Sequence, residues 1–265
     1  MYSHLLALVS VLAYVSSAML IVRNFYQNTY KRAPLLLAWL AITTHATYIG
    51  YSLHLHDGFN FSLISTACLI SMIVGLLLML ATLNKPVEKL GVIVFPVAAA
   101  MLALELCLPE KSRSLHSNDW EITAHVLSSI IAFSLINIAA LQAIMLAIQN
   151  QQLKSHPPKR FIQSLPPLQT MEILLFQMLS VGLFFLTVSL ASGFIFIKDL
   201  FAQHLVHKTV LSILAWIIFT SLLVGRYRYG WRGKIAIQWT LVGFVLLLLA
   251  YFGSKLVLEI ILNRV

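Results

Sequence analysis

Eight long apolar runs, separated by short polar breaks, constrain this chain more than any other feature. They cover residues about 4–22, 34–54, 62–83, 88–108, 122–149, 171–197, 208–225 and 235–260. A helix needs about 20 apolar residues to cross the hydrocarbon core of a bilayer. None of the runs has the alternating pattern of a membrane β-barrel strand. The sequence therefore predicts an all-α fold: a polytopic membrane helical bundle of about eight transmembrane helices, forming a single transmembrane domain over residues 1–265.

The composition excludes several other classes of protein. The chain is 60% hydrophobic and 10% charged, whereas a soluble domain is usually about 25% charged. An ordinary soluble enzyme, a disordered chain and a secreted disulfide scaffold are therefore excluded. The two cysteines, Cys68 and Cys107, form no CxxC motif, so neither a thioredoxin-like pair nor covalent c-type haem attachment is predicted. A disulfide between them stays open.

The positive charges predict the orientation of the bundle. No Lys or Arg precedes the first apolar run, whereas Arg23, Lys31 and Arg32 follow it, which is the reverse of a cleaved signal peptide. Of the 18 basic residues, 12 fall on the side that these three define, and 6 fall on the other: Lys111, Arg113, Lys198, Lys208, Lys255 and Arg264. The positive-inside rule then places both termini outside. Topology thus accounts for much of the net charge of +9, and no nucleic-acid partner is predicted.

The histidines are the main indication of chemistry. His45 lies inside the second apolar run, and His125 lies just inside the predicted outer end of the fifth. Ionisable groups within a membrane are costly and usually functional. Each histidine has two interpretations, a metal or haem ligand or a polar side chain that is hydrogen-bonded to a neighbour. The remaining outer histidines include two pairs, His54 with His56 and His204 with His207, which are alternative candidates for binding Zn²⁺ or another divalent ion.

Haem suits the first pair for a physical reason. It is a flat apolar ring with two anionic propionates, so an apolar helical cleft buries the ring while two imidazoles fill the axial positions of the iron. Lys255, Lys208 and Arg113 are candidate partners for the propionates. From the helical rise, His45 lies ~14 Å and His125 ~5–8 Å below the predicted outer boundary. A single iron can bind both histidines only if they lie at the same depth in the membrane. Whether His45 and His125 do so stays open.

Small residues in the sixth run predict close helix packing. Ser189 and Gly193 form a small-xxx-small pair, and Gly182 and Ser192 are also small. Such residues let two membrane helices approach each other closely.

Residues from about 121 to 260 resemble the cytochrome c assembly membrane family, which includes CcsA-type haem-handling proteins and HemX. The segments that carry the resemblance are HVLSSIIAFSL from His125, MEILLFQMLSVGLFFLTVSLASG at 171–193, KTVLSILAWIIF at 208–219, GWRGKIAIQW at 230–239 and AYFGSK at 250–255. Within the family, the YpjD-type bacterial inner-membrane branch is similar over nearly the whole chain. His45 in its THATYI setting is similar to the second-helix histidine of the HemX and YpjD branch.

The chain departs from the CcsA-type pattern in one segment. CcsA-type proteins carry a tryptophan-rich WWD segment between the helices that match 171–197 and 208–225. Here that stretch reads IKDLFAQHLVH and has no tryptophan. The family also places a histidine beyond the last matching helix, whereas His207 is the last histidine here. Direct attachment of haem to an apocytochrome is therefore not expected.

The resemblance and the histidines together predict a bacterial inner-membrane protein that binds haem b through His45 and His125. The implied role is haem handling or cytochrome c maturation, and no substrate turnover is predicted. Membrane lipid and another membrane protein are the expected partners besides haem. The alternative is a non-haem accessory or regulatory subunit, linked to divalent-cation transport through the outer histidines. A membrane scaffold that docks a partner on RYRYGWRGK at 226–234 is a third possibility, and contact of that loop with anionic lipid is the simpler interpretation.

Overall fold

A computed structural model describes residues 2–27, 32–55, 62–108, 120–154, 166–196 and 206–253 of the chain. These residues form helices α1 to α8 with no strand among them. In chain order the helices are α1 Tyr2–Gln27, α2 Ala33–Leu55, α3 Leu63–Thr82, α4 Gly91–Cys107, α5 Trp120–Lys154, α6 Leu168–Phe196, α7 Val206–Tyr229 and α8 Lys234–Leu248. A short 3₁₀ turn, Glu88–Leu90, precedes α4, and a π-helical turn, Leu249–Gly253, follows α8.

The prediction of eight membrane-capable helices is confirmed. Eight helical segments of the described chain are long and apolar enough to cross a bilayer. The fifth helix ends at Lys154 rather than near 149, and the seventh at Tyr229 rather than near 225. Polar and basic side chains in these last turns are compatible with a helix that leaves the hydrocarbon layer. The apolar run therefore marks the membrane-buried part of a helix rather than its end.

Local chemistry explains several helix boundaries. Ser62 caps α3, because its hydroxyl accepts a hydrogen bond from the Ser65 amide at 3.2 Å. Pro34 lies in the first turn of α2, where a missing amide hydrogen is tolerated. Pro166 and Pro167 directly precede α6, and the Pro167 carbonyl accepts from the Met171 amide at 3.1 Å. These two prolines therefore mark the entry to α6.

The helices fall into two compact units. In the first unit, α1 packs against α2 and α4, and α3 packs against α4 and α2. Two buried serines join α1 to α2: Ser10 donates to the Ala41 carbonyl at 2.8 Å, and Ser17 donates to the Pro34 carbonyl at 2.7 Å. Hydroxyl groups of this kind connect membrane helices where apolar burial provides little driving force.

In the second unit, α5 is the central helix and packs most extensively against α6. About 72% of the apolar window of α5 is buried inside the protein, against 28% for α7. Gly182 permits the close approach of α6, because a Cβ atom there would lie 2.8 Å from the Ile136 side chain. Gly182 therefore does what the sequence predicts for a small residue of the sixth run. The interpretation of residues 1–265 as a single transmembrane domain stays a prediction.

Candidate functional site

His125 lies in the second turn of α5 and is anchored by α6. Its Nδ1 lies 2.9 Å from the Ser189 carbonyl oxygen and 3.1 Å from the Ser192 Oγ. A carbonyl oxygen can only accept, so Nδ1 carries the proton and donates it. In the neutral imidazole this leaves a lone pair on Nε2. Among the described residues, the hydrogen bonds of His125 are made by Nδ1 and not by Nε2.

The anchor is built on one face of α6. Ser189, Ser192 and Gly193 stand three and four residues apart, so they share a face of the helix. A Cβ atom on Gly193 would lie 3.1 Å from His125 Cε1 and 3.4 Å from its Nδ1. The glycine therefore leaves room for the imidazole. An Nδ1–H held by a backbone carbonyl, with Nε2 available, is the arrangement found in metal-ligating histidines.

His45 is held differently, in the core of the first unit. Its side chain is 0% exposed, and both ring nitrogens face polar groups. Nδ1 lies 3.4 Å from the Tyr14 hydroxyl, and Nε2 lies 3.1 Å from the Cys68 Sγ. The Tyr14 ring meets the imidazole edge-on, with centroids 5.9 Å apart. The thiol of Cys68 therefore occupies the position next to Nε2, the nitrogen through which His45 would bind a metal. His45 can either keep this hydrogen bond or use Nε2 as a ligand, but not both at once.

A carboxylate extends this buried polar cluster. Glu105 of α4 lies beside Cys68 and close to Tyr48. Its Oε2 atom is buried, and no hydrogen-bond partner for it exists among the described residues. Sequence reasoning did not group Tyr14, Cys68 and Glu105 with His45. Each lies on a separate helix, and no spacing within one helix can reveal which helices are neighbours.

Of the other predicted site residues, the structure describes His54, His207 and Lys208, and it shows neither His54 nor His207 in contact with His45 or His125. His54 is exposed in the last turn of α2, and His207 is exposed in the first turn of α7. Lys208 follows His207 on α7 and interacts with another residue. His56, His204, Lys255 and Arg113 lie outside the described residues. Within the part of the chain that the structure covers, no group of three His, Cys, Asp or Glu side chains could hold a metal ion. Both cysteines are free, Cys68 buried and Cys107 exposed.

These observations define a polytopic helical membrane protein with anchored, partly or fully buried histidines. The chain belongs to the family described as cytochrome C assembly protein, whose family model matches residues 6–262. It is a multi-pass inner-membrane protein by its helices and its relatives.

Three relatives illustrate the range of the family. Inner membrane protein YpjD of Escherichia coli (strain K12) is 32% identical over 265 residues, which cover 96% of this chain and 98% of YpjD. Cytochrome c biogenesis protein CcsA of Chlamydomonas reinhardtii is 27% identical over 65% of this chain and 50% of its own length. Protein HemX of Brevibacillus brevis is 24% identical over 59% of this chain and 60% of its own. No solved structure matches the chain.

The family implies haem, whose iron is commonly held by a histidine nitrogen with a free lone pair. His125 is a suitable donor, since its anchored Nδ1 leaves Nε2 as the ligating atom. His45 is also a suitable donor, but its Nε2 is faced by Cys68. Ligation through that atom therefore requires the thiol to move aside.

Proposed function

We propose that this protein binds haem b through His45 and His125 and acts in haem handling or cytochrome c maturation. Membership of the cytochrome C assembly family supports the role, and a relative named for cytochrome c biogenesis points the same way. The observation that carries the haem assignment is the anchored imidazole of His125, with Nδ1 bonded to Ser189 and Nε2 left for a ligand.

Each residue of the proposed site has a separate task. Haem would supply an iron, which His45 and His125 would hold through imidazole nitrogens. The Ser189 carbonyl and Ser192 hydroxyl orient His125 and fix its tautomer. Tyr14 and Cys68 orient the ring of His45, and the thiol has to leave Nε2 before that atom can bind iron. Lys208, Lys255 and Arg113 remain the proposed partners of the propionates.

The proposed role is binding or transfer of haem rather than its covalent attachment. The segment IKDLFAQHLVH at 197–207 has no tryptophan, so the chain lacks the WWD segment expected of a protein that presents haem to an apocytochrome. We therefore assign it no substrate turnover. Both termini are proposed to lie outside, with His125 near the outer end of α5 and His45 deeper, in the middle of α2.

The test is a visible spectrum of the protein purified in detergent, combined with a pyridine haemochrome assay. One haem b per chain with a low-spin, bis-imidazole spectrum is the expected result. His125→Ala and His45→Ala should each change that spectrum. His54→Ala and His207→Ala are matched controls, because both side chains are exposed, and they should leave it unchanged.

Two results would count against the proposal. A protein that stays colourless after haem is supplied would favour the accessory subunit linked to divalent-cation transport. An unaltered spectrum in both the His45 and the His125 variant would reject the ligand assignment, even if haem is bound.

A further inference from the structure

A basic corner forms where α7 turns into α8 beside the start of α6. Arg226, in the last turn of α7, donates from Nη1 to the Glu172 Oε1 at 2.8 Å. The Nε of Arg232 lies 3.8 Å from the same carboxylate oxygen. Arg228 and Lys234 are exposed in the same segment. Four cations against one carboxylate leave this corner with a formal charge of +3.

The turn that forms this corner is held by specific contacts. Gly230 and Gly233 have positive φ angles of 66° and 55°, which favour glycine. The indole of Trp231 sits directly on Gly225, where a Cβ atom would lie 2.3 Å from the ring. The Trp231 carbonyl accepts a further bond from Arg226 Nη1 at 3.3 Å. The turn, the guanidinium and the carboxylate therefore hold one another in place.

Arg226 keeps hydrogen-bonding capacity for a ligand. A guanidinium has five N–H donors, and Arg226 bonds to Glu172 and Trp231 through Nη1 alone. The exposed fraction of its side chain is 23%, compared with 64% for Arg232. One guanidinium is thus partly recessed and the other is open to the surface.

An apolar groove adjoins this corner. It has a volume of about 650 Å³, and Arg226 is its one charged lining residue. The other lining residues come from the first half of α6 and include Ile173, Phe176, Ser180 and Val181. Ile173 and Val181 are 42% and 47% exposed. Arg226 also lies over the Phe176 ring, 4.8 Å from its centroid.

The position of the groove on a membrane helix indicates which kind of molecule occupies it. Because α6 is a membrane-capable helix, its exposed apolar side chains face lipid hydrocarbon, so an acyl chain is the natural occupant. The basic corner stands where the headgroup of that lipid would lie, and two aromatic residues there, Tyr227 and Tyr229, are 93% and 73% exposed. Exposed tyrosines are typical of the membrane–water interface. Positive charge at that level selects an anionic headgroup.

We propose that the α6–α7–α8 corner is a binding site for one anionic phospholipid. The phosphate is held by Arg226, Arg232 and Lys234, and an acyl chain lies along the groove on α6. Glu172 positions Arg226 for this task. The lipid site shares no residue with the proposed haem ligands, so this proposal does not depend on the proposed function.

Native mass spectrometry of the detergent-purified protein tests the proposal by titration with phosphatidylglycerol and with phosphatidylcholine. We expect phosphatidylglycerol to bind at least about tenfold more tightly, since each basic residue near an anionic headgroup contributes about fivefold. Arg232→Gln/Lys234→Gln should abolish most of that preference. Both side chains are exposed, so the variant should fold. Arg23→Gln, which removes an exposed arginine from α1, is the matched control and should retain the preference.

A groove variant separates a lipid from a free anion. Ser180→Phe should fill the groove and lower binding of phosphatidylglycerol, while inorganic phosphate at equal concentration should not compete. Equal binding of the two lipids would overturn the proposal, as would equal losses in the Arg23 and Arg232/Lys234 variants. Competition by inorganic phosphate without any effect of Ser180→Phe would also overturn it, since that pattern indicates a phosphate site without an acyl chain. The haem spectrum should be the same in every variant.

Discussion

The Nε2 atom of His45 lies 3.1 Å from the Sγ of Cys68, and both side chains are 0% exposed. The two residues come from different helices: His45 lies in the middle of α2, and Cys68 lies in the second turn of α3. The thiol thus covers the nitrogen through which His45 would bind iron. We therefore expect the Cys68 thiol to compete with haem iron for Nε2 of His45.

Cys68→Ala is expected to increase haem binding. The substitution removes the group that competes for Nε2, and a net hydrogen bond of ~1 kcal/mol corresponds to about a fivefold change in the apparent dissociation constant. Cys68→Ser keeps a polar group at the position and should give a smaller change. Titration of the haem-free proteins with haem, followed at the Soret band, measures the effect. Weaker binding by Cys68→Ala than by the wild type would mean that the thiol supports the site instead of covering it.

Gly193→Ala should displace the imidazole of His125. The new Cβ atom would lie 3.1 Å from Cε1, so the ring or α6 has to shift by a few tenths of an ångström. We expect an altered haem spectrum with little loss of folded protein. Gly50→Ala is the matched control, because nothing lies within 4 Å of a Cβ atom at Gly50. If the two alanine variants had identical spectra, the geometry of His125 would have no part in haem ligation.

Ser17→Ala should lower the thermal stability of the protein. It removes the hydroxyl that donates to the Pro34 carbonyl at 2.7 Å, and such interhelical bonds average about 0.6 kcal/mol in membrane proteins. Ser134→Ala is the comparison, since the Ser134 Oγ is buried with no hydrogen-bond partner among the described residues. A thermal melt in the same detergent should place Ser17→Ala below Ser134→Ala. The reverse order would show that the bond contributes no net stability.

The proposed orientation can be tested with Cys107, which is exposed at the end of α4. In intact cells of a Cys68→Ala background, a membrane-impermeant maleimide should label Cys107 from outside, because the positive-inside rule places this end of α4 outside. The matched control carries Asn84→Cys and Cys107→Ala, with the new thiol exposed in the α3–α4 turn. It should be labelled only after the cells are opened. Labelling of Asn84→Cys but not of Cys107 in intact cells would show that the bundle has the opposite orientation.

Much of the fold could be predicted because membrane spans obey a local rule. Each apolar run has to be about as long as the hydrocarbon layer is thick, so the eight spans follow from the sequence without knowledge of their neighbours. Helix ends were less accurate, as for α5, which continues to Lys154. Once a helix leaves the apolar layer, composition no longer fixes where it stops.

The candidate site was only partly predictable. His125 was singled out by its depth in an apolar run, whereas Ser189, Ser192 and Gly193 on α6 were predicted only to permit close helix packing. That these residues hold the imidazole of His125 appears only in the structure. The contacts of His45 did not follow. Neither a cysteine in the second turn of α3 nor a tyrosine in the middle of α1 is unusual in an apolar helix. Their contacts with His45 appear only when the helices pack.

The sequence alone therefore determined the class of protein, the number of membrane helices and the histidines at issue, because hydrophobic length and the cost of buried ionisable groups act on each segment separately. The tertiary structure decided which groups face each imidazole nitrogen: Tyr14 and Cys68 for His45, and Ser189 and Ser192 for His125. It also decided that Glu172, Arg226 and Arg232 meet at one corner. These contacts join residues on different helices or turns, and they depend on how the helices pack rather than on any pattern along the chain.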